Sequence, residues 1–249
     1  MHGEERGMGS QRLDPETDDG AVCCSEVRFI WKCLECGRLA VKFVLPFRLC
    51  TACGGGPLGV VATEGLDDPR RIEPVREAVQ LGVEVLHFYR LALDQTTHRV
   101  SRSILAELCA RQARQLSELM ARHCIAPSVL ELSAAQREVL SRELFRGIDF
   151  MTPAGLVAMY RRALEIERRS LAHGERRALG LPRGAERQLY WQLAEEAAER
   201  AALLEAEVDF LETHAVLKAP PAGPSALRGV RDMIEDAEVV LSGQRDAEE

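Results

Sequence analysis

Hydrophobic residues recur at helical spacing through most of the chain after about residue 70. Val79, Val83, Leu86 and Leu93 are separated by three, four or seven positions, which places them on one face of a helix. The pattern predicts four long helices, over residues 74–95, 101–123, 153–179 and 185–217. The abundance of alanine, leucine, glutamate and arginine in this region favours the same assignment.

Capping and turn residues mark where these helices begin and end. Pro127 ends the second helix, and Thr152 followed by Pro153 provides an N-cap and a first-turn proline for the third. Between them, Ser133 and Gln136 form a capping-box pattern ahead of a short apolar run. The long connection between the second and third helices is therefore predicted to contain a short helix.

The N-terminal quarter of the chain has a different pattern. Short apolar runs that include Phe29, Trp31 and Phe43 alternate with turn residues, which predicts small strands. The residues from Thr63 to Pro74 contain glycine, proline and charges and are predicted to be a linker. We predict four segments: a disordered N-terminus (1–26), a small β module (27–63), a helical domain (64–217), and a Pro-rich linker with an amphipathic C-terminal helix (218–249).

The β module contains two Cys-x-x-Cys pairs. Cys33 and Cys36 form the first, and Cys50 and Cys53 form the second, with thirteen residues between the pairs. Two such turns facing each other form a tetrahedral four-thiolate metal site, and a glycine follows each pair, which lets backbone N–H groups turn towards the sulfurs. Four thiolates suit zinc and equally a single iron, so one Zn or Fe ion is predicted. Two disulfides or four ordinary thiols are the alternatives.

The metal is expected to matter for folding. A module of this size buries too little apolar surface to fold alone, so the metal supplies part of its folding free energy. We expect that replacing one of these cysteines by serine unfolds the module and leaves the helical domain folded. The other cysteines are Cys23, Cys24, Cys109 and Cys124. Cys109 lies in an apolar helical pattern and is predicted to be a buried small side chain.

Charge and composition narrow the possible functions. The 249 residues carry a net charge of −7, and no long basic surface is predicted, so we do not expect nucleic-acid binding. The module is locally basic, at Arg28, Lys32, Arg38, Lys42 and Arg48. No stretch approaches the roughly 20 apolar residues of a membrane span, and no apolar signal segment begins the chain. A cytoplasmic location without membrane association is expected.

Four phrases together resemble the rubrerythrins. They are KCLECG with LCTACGG, then AVQLGVEVLHFYRLA, FMTPAGLVAMYRRALEIERRS and QLAEEAAERAALLE, within about residues 29–213. The resemblance implies a mainly α fold: a ferritin-like four-helix bundle with a long crossover between its second and third helices (the B–C crossover). A small rubredoxin-like or zinc-ribbon β module precedes the bundle here, whereas it follows in many members of the family.

The resemblance also implies a di-iron site in the bundle, made from glutamates and Glu-x-x-His pairs. The corresponding positions in this chain are Gly82, Gln112, Gln115, Glu167, Glu196 and Glu199. Half of the site has lost its charged ligands, so we do not expect an intact di-iron centre. Glu167, Glu196 and Glu199 remain candidates for a residual metal site. Without a metal, one of the Glu167 and Glu196 carboxylates should share a proton or accept a hydrogen bond from Gln112 or Gln115.

A second Glu-x-x-His pattern lies on the first helix. Glu84 and His87 are three residues apart and would share one helix face, as two metal ligands require. If the family's motif were in a different register, this pair would be an alternative ligand pair. The second helix offers no matching acidic partner on its inner face, and we expect Glu84 and His87 to form a surface or boundary pair.

These observations lead to one main functional hypothesis and two alternatives. The main hypothesis is a rubrerythrin-like metal-binding protein with one four-cysteine site and a degraded di-iron site, in a redox-accessory or scaffold role. The first alternative is an active peroxide- or oxygen-reducing oxidoreductase of the rubrerythrin type; whether the chain is an enzyme is left open. The second is a zinc-ribbon interaction or nucleic-acid-binding protein. A redox or protein partner is expected, and a homodimer by family analogy.

Overall fold

The structure is a computed structural model that describes residues 22–65 and 69–218. Within these residues the chain is mainly helical, with a small antiparallel sheet followed by five α-helices. It divides into two compact units, Met1–Glu205 and Ala206–Glu249, so the sheet and most of the helices belong to one unit. Residues 1–21 of the predicted disordered segment (1–26) lie outside the described residues, and so does the predicted C-terminal amphipathic helix. Residues 22–26 are described, and Cys24 among them is buried.

The sheet is built from four short strands. They are β1 (Arg28–Cys33), β2 (Leu39–Lys42), β3 (Leu49–Cys50) and β4 (Gly56–Glu64), in the order β2-β1-β4-β3. Along β1, Phe29, Trp31 and Cys33 are buried while Arg28 and Lys32 are exposed, as the two-residue period of a strand requires. One face of the sheet is therefore buried. Cys33, the first cysteine of the predicted metal site, lies on this face at the end of β1.

The helices are α1 (Pro69–Gln95), α2 (Arg99–Arg122), α3 (Ala134–Leu144), α4 (Pro153–Gly180) and α5 (Ala185–Lys218). Most bounds lie within two residues of the prediction, but α1 begins at Pro69 rather than at Pro74, so part of the predicted linker is helical. Pro69 takes the first position, where no N–H is needed. Pro74 lies inside α1, where its missing N–H removes one backbone hydrogen bond of the helix. The neighbouring Ile72 and Val75 are buried in the core, and this packing stabilises the same part of the helix.

The predicted capping interactions are present. Ser133 and Gln136 form both hydrogen bonds of a capping box at the start of α3. Thr152 caps α4, since its Oγ1 accepts a hydrogen bond of 3.1 Å from the N–H of Gly155. Each cap satisfies backbone donors that the first turn of a helix otherwise leaves without a partner.

The sheet and the helices share one hydrophobic cluster. It contains Phe29 and Trp31 from the sheet, Val75 and Val79 from α1, and Leu116 from α2. The guanidinium of Arg76 lies over the rings of Phe29 and Trp31, 5.2 and 5.5 Å from their centroids. The sheet is therefore packed on the first half of α1.

A buried glutamine adds a polar contact between α1 and the sheet region. Gln80 accepts a hydrogen bond of 3.0 Å from the N–H of Leu45 and donates to the Leu45 carbonyl. Both backbone groups of Leu45 are thus satisfied without water, which fixes the chain just before β3. The cysteine turns are held at a set position relative to α1.

The helix contacts involve close backbone approach. α1 packs against both α2 and α4. At Gly82 on α1, an added Cβ would lie 2.9 Å from Leu116 Cδ1, and at Gly174 on α4 it would lie 3.0 Å from the Tyr190 carbonyl on α5. At both positions a larger side chain would force a neighbouring residue to shift. No helix in the described part of the chain is both long and apolar enough to cross a membrane.

Candidate metal centre

The four cysteines lie in pairs at two strand ends. Cys33 is the last residue of β1 and Cys50 the last residue of β3, while Cys36 and Cys53 lie in the turns that follow. All four sulfur atoms lie within 4.8 Å of one another. The distance is 3.6 Å from Cys33 Sγ to Cys53 Sγ and 3.8 Å from Cys36 Sγ to Cys50 Sγ. A tetrahedral ion with metal–sulfur bonds of about 2.3 Å needs sulfurs about 3.8 Å apart, so the arrangement fits one metal ion.

The turns obtain their shape from glycines. Gly37 and Gly54 follow the two cysteine pairs with φ of 74° and 90°, in the left-handed region that glycine adopts without strain. The first turn directs the N–H of Cys36 at Cys33 Sγ, 3.4 Å away. A hydrogen-bond donor of this kind stabilises a thiolate, and the sequence pattern predicted this arrangement.

Gly56 is the residue that keeps the site open next to Cys53. An added Cβ at this position would lie 2.8 Å from Glu35 Oε2 and 3.0 Å from Cys53 Sγ. Any larger residue at 56 would push a side chain against a metal ligand. The spacing of the cysteines does not reveal this requirement, because it depends on how β4 returns past the first turn.

The thiols interact strongly with one another. The N–H of Cys36 is the largest of the effects that lower the pKa of Cys33 to about 7. The N–H of Gly56 lowers the pKa of Cys53, but desolvation and hydrogen bonds shared with the other three thiols outweigh it and raise that pKa to about 12. Four thiols this close cannot all ionise without a cation. A divalent ion held by the four sulfurs would supply the missing positive charge.

The second candidate site, in the helical region, centres on Glu167. This side chain has no solvent exposure, and both of its oxygens accept hydrogen bonds from Arg200. The distances are 2.8 Å from Arg200 Nε to Oε1 and 3.1 Å from Nη2 to Oε2. The hydroxyl of Tyr89 donates a further bond of 2.5 Å to Oε1. Burial, and then the Glu167 charge, raise the pKa of Tyr89 well above its usual value, so its hydroxyl remains a donor.

Sequence reasoning missed Arg200. It stands directly after Glu199 in an alanine-rich stretch of α5, and it is only 4% exposed. The available signal was its position three residues after Ala197 and four before Leu204, both of which are fully buried. An arginine at helical spacing within a buried face needs an acidic partner, and Glu167 on α4 is that partner.

The expected hydrogen bond from Gln112 or Gln115 to the Glu167 or Glu196 carboxylate is not the one observed. Gln112 donates a hydrogen bond of 3.1 Å to the carbonyl of Gly82 rather than to a carboxylate. Gln115 accepts a hydrogen bond of 3.2 Å from Arg200 Nη1. The charged guanidinium makes stronger hydrogen bonds to Glu167 than a neutral amide would, and it takes both carboxylate oxygens.

The other two candidate carboxylates lie elsewhere. Glu196 is half-buried and Glu199 is exposed, and both line a surface cleft with Glu107, Arg111, Arg114 and Glu118. Glu196 Oε2 lies 3.9 Å from Arg200 Nη1. Of the residues that the structure describes, only the four cysteines form a group of three or more possible metal ligands within 4.8 Å of one another. Glu167, Glu196 and Glu199 do not form such a group.

The prediction for Glu84 and His87 is wrong. They were expected to form a surface or boundary pair, but both are buried. Glu84 is 5% exposed and His87 only 2%. Glu84 accepts a hydrogen bond of 2.8 Å from Gln80 Nε2 and lies 3.5 Å from Arg169 Nη2. Burial raises the pKa of Glu84, and burial with the nearby charges of two arginines lowers the pKa of His87 to about 3. α1 is covered by α2, α3, α4 and the 3₁₀ helix Pro46–Arg48, so more than one of its faces is buried.

Comparisons of this chain with protein-family models, curated proteins and solved structures found no match. The findings support a clustered four-cysteine site able to hold a metal and a mostly helical body with a small sheet. The resemblance to the rubrerythrins stays a prediction carried by the phrases quoted above.

Proposed function

We propose that this protein binds one zinc ion at Cys33, Cys36, Cys50 and Cys53, and that its helical region is a scaffold without a metal centre. The observation that carries the proposal is the mutual approach of the four sulfurs to within 4.8 Å. A closed four-thiolate site of this kind is the usual form of a structural zinc site. Its role would be to hold the ends of β1 and β3 together against the first half of α1.

The helical region is proposed to be a ferritin-like bundle of α1, α2, α4 and α5. The contacts of α1 with α2 and α4 support this, as do the hydrogen bonds between Glu167 on α4 and Arg200 on α5. The residues between α2 and α4 would be the B–C crossover of the family. In this proposal the protein shares its fold, but not a di-iron site, with the rubrerythrins. A protein partner would bind the outer surface of the bundle.

Arg200 supports the proposal that the bundle works without iron. A di-iron centre is held by carboxylates whose negative charge the metal ions balance. Here the guanidinium of Arg200, which is itself buried, balances the charge of Glu167 and occupies both of its oxygens. A cation bound at Glu167 would have to displace this arginine and overcome its positive charge.

A second candidate function is electron transfer by a single iron in the same cysteine site. Cys36 and Cys53 are exposed, so two of the four ligands face the surface, where a redox partner can approach. The hydrogen bond from the Cys36 N–H to Cys33 Sγ is of the kind that tunes the potential of an iron–thiolate centre. This alternative requires an external redox partner.

Metal analysis of the purified protein, expressed with both zinc and iron in the medium, tests these proposals. We expect about one zinc per chain and no visible absorption. Cys50→Ser should lose the metal, and the matched control Cys109→Ser should keep it. A red protein with one iron would replace the zinc proposal by the electron-transfer one. About three metal ions per chain, or turnover of hydrogen peroxide, would refute the scaffold proposal.

A further inference from the structure

Two cysteines outside the metal site lie side by side. The segment around Cys23 is tied to the end of α2 by a hydrogen bond of 2.8 Å from the Cys24 N–H to the His123 carbonyl. A second bond, of 2.9 Å, joins His123 Nδ1 to the Val22 carbonyl. These two bonds bring the segment that carries Cys23 against the residue before Cys124, and each of the two thiols shifts the pKa of the other. Both side chains are exposed.

The two thiols have different environments. The neighbouring Cys124 thiol, and then the side chain and the N–H of Ser25, lower the pKa of Cys23. Its Sγ is 3.4 Å from Ser25 Oγ. The pKa of Cys124 is raised, first by its interaction with the Cys23 thiol and then by desolvation. Cys23 is therefore the better nucleophile of the pair, because the thiolate is the reactive form.

The adjacent Cys24 is not part of this pair. It is 3% exposed and belongs to the hydrophobic cluster shared by the sheet and α1. Burial, followed by the neighbouring thiols, raises its pKa to about 11. A buried thiol with a raised pKa reacts slowly, so the two neighbours in sequence have opposite properties.

We infer that Cys23 and Cys124 form a second thiol site, separate from the metal site, that reacts with small disulfides such as oxidised glutathione to give a reversible internal disulfide. The Cys23 thiolate attacks one sulfur of the small disulfide and releases one thiol, leaving a mixed disulfide on Cys23. Cys124 then loses its proton and attacks the Cys23 sulfur, which releases the second thiol. The two protein thiols are oxidised, and one small disulfide is reduced to two thiols.

The link would join two distant parts of the chain. It would close a loop of roughly 100 residues between the segment before β1 and the end of α2, which restricts the unfolded chain and stabilises the folded one. Cys124 follows His123, the C-cap residue of α2, and its φ of 54° is a left-handed conformation that does not continue the helix. The oxidised protein should therefore melt at a higher temperature than the reduced one.

The test uses the full-length, metal-loaded protein and oxidised glutathione. After reaction, free thiols are alkylated, and disulfide-linked peptides are identified by mass spectrometry. We expect a peptide pair joined through Cys23 and Cys124, a raised melting temperature and unchanged metal content. Linkage through a metal-site cysteine or through Cys24, or no linkage at all, would overturn the inference.

Three variants test the order of the steps. Cys124→Ser should accumulate glutathione on Cys23, because the resolving thiol is gone. Cys23→Ser should give neither the internal disulfide nor the mixed one. Cys24→Ala is the control and should still form the link. Equal glutathione incorporation in Cys23→Ser and Cys124→Ser would show that Cys23 is not the nucleophile. Since Cys23 and Cys124 are exposed, their replacement by serine should leave folding intact, which circular dichroism verifies.

Discussion

Among single residues, Arg200 has the largest predicted effect on stability. It is 4% exposed and makes two hydrogen bonds to Glu167, which has no solvent exposure. A buried carboxylate without a cation costs several kcal/mol, whereas the bidentate pair with the Tyr89 hydroxyl satisfies both oxygens. The pair therefore acts as a unit, and removing one partner leaves the other buried and charged.

We predict that Arg200→Met lowers the free energy of unfolding by about 3–5 kcal/mol at neutral pH. Urea denaturation measures this loss. The double variant Arg200→Met with Glu167→Leu should lose less than Arg200→Met alone, because no charge remains buried. The matched control is Arg168→Ala, which breaks the exposed pair with Glu205 and should cost less than about 1 kcal/mol. An equally small loss for Arg200→Met would contradict the assigned role.

His87 should make the protein sensitive to acid. Burial, with Arg90 and Arg137, lowers its folded pKa from 6.5 to about 3. Between these two pH values the unfolded chain binds a proton that the folded chain does not, so stability falls as the pH falls. We predict that His87→Leu reduces the loss of unfolding free energy between pH 7 and roughly pH 4.5 by about 2–3 kcal/mol. Urea denaturation across this range measures the change.

Glu84 provides a control of opposite sign one turn away. Its folded pKa is raised by burial above the ordinary 4.5, so its ionisation disfavours the folded state increasingly as the pH rises above that value. Glu84→Gln keeps an acceptor for Gln80 and should stabilise the protein at neutral pH. If the stability curves of His87→Leu and the unchanged protein run parallel, His87 is not the acid-sensitive group.

At the scale of elements, the start of α4 is the most constrained. An added Cβ at Gly155 would lie 1.8 Å from the Asp149 carbonyl oxygen, a distance that no small shift relieves. The N–H of the same residue donates to the capping Thr152. The turn before the helix thus folds back over its third residue, and only glycine fits there.

Two glycines of α4 should respond oppositely to alanine. We predict that Gly155→Ala lowers the free energy of unfolding by about 3 kcal/mol or more, since the clash is with backbone. At Gly180, the last residue of the same helix, no atom lies within 4 Å of an added Cβ. Gly180→Ala should be neutral or stabilising by up to about 1 kcal/mol. Thermal melts of both variants decide the matter, and similar melting temperatures would show that the turn adapts.

Considering the whole molecule, the sheet and the helices share a hydrophobic core within the unit Met1–Glu205. Phe29 and Trp31 contact Arg76 of α1, and Gln80 binds both backbone groups of Leu45. The metal site at the strand ends is therefore mechanically linked to α1. Loss of the metal should therefore lower the stability of the helices as well as that of the sheet.

We predict that Cys50→Ser loses the metal and lowers the melting temperature of the helices as well as of the sheet. This differs from the local unfolding that the cysteine pattern alone suggests. Far-UV circular dichroism follows the helices, and metal analysis of the same sample confirms the loss. Cys109→Ser, in α2, is the control. A helical melt unchanged in Cys50→Ser would show that the sheet folds independently after all.

The sequence by itself determined the features that depend on neighbouring residues. The two Cys-x-x-Cys pairs with their glycines placed four thiols on two turns, and the helical periodicity predicted the long helices to within a few residues at most ends. Ser133 with Gln136, and Thr152 with Pro153, marked two helix starts correctly. These signals are local, because a cap or a cysteine turn is completed by residues within one turn of the chain.

Only the tertiary structure decided which faces meet. The partner of Glu167 is 33 residues away on α5, and Glu84 and His87 are buried because α1 is packed on several sides. Part of the predicted linker is likewise helical, because α1 begins at Pro69 and its first turns pack in the core shared with the sheet. A periodic pattern shows that a face is apolar, but it does not show what covers the other faces or which charge lies opposite. Those depend on contacts between residues far apart in the chain, where burial sets the cost of each charge.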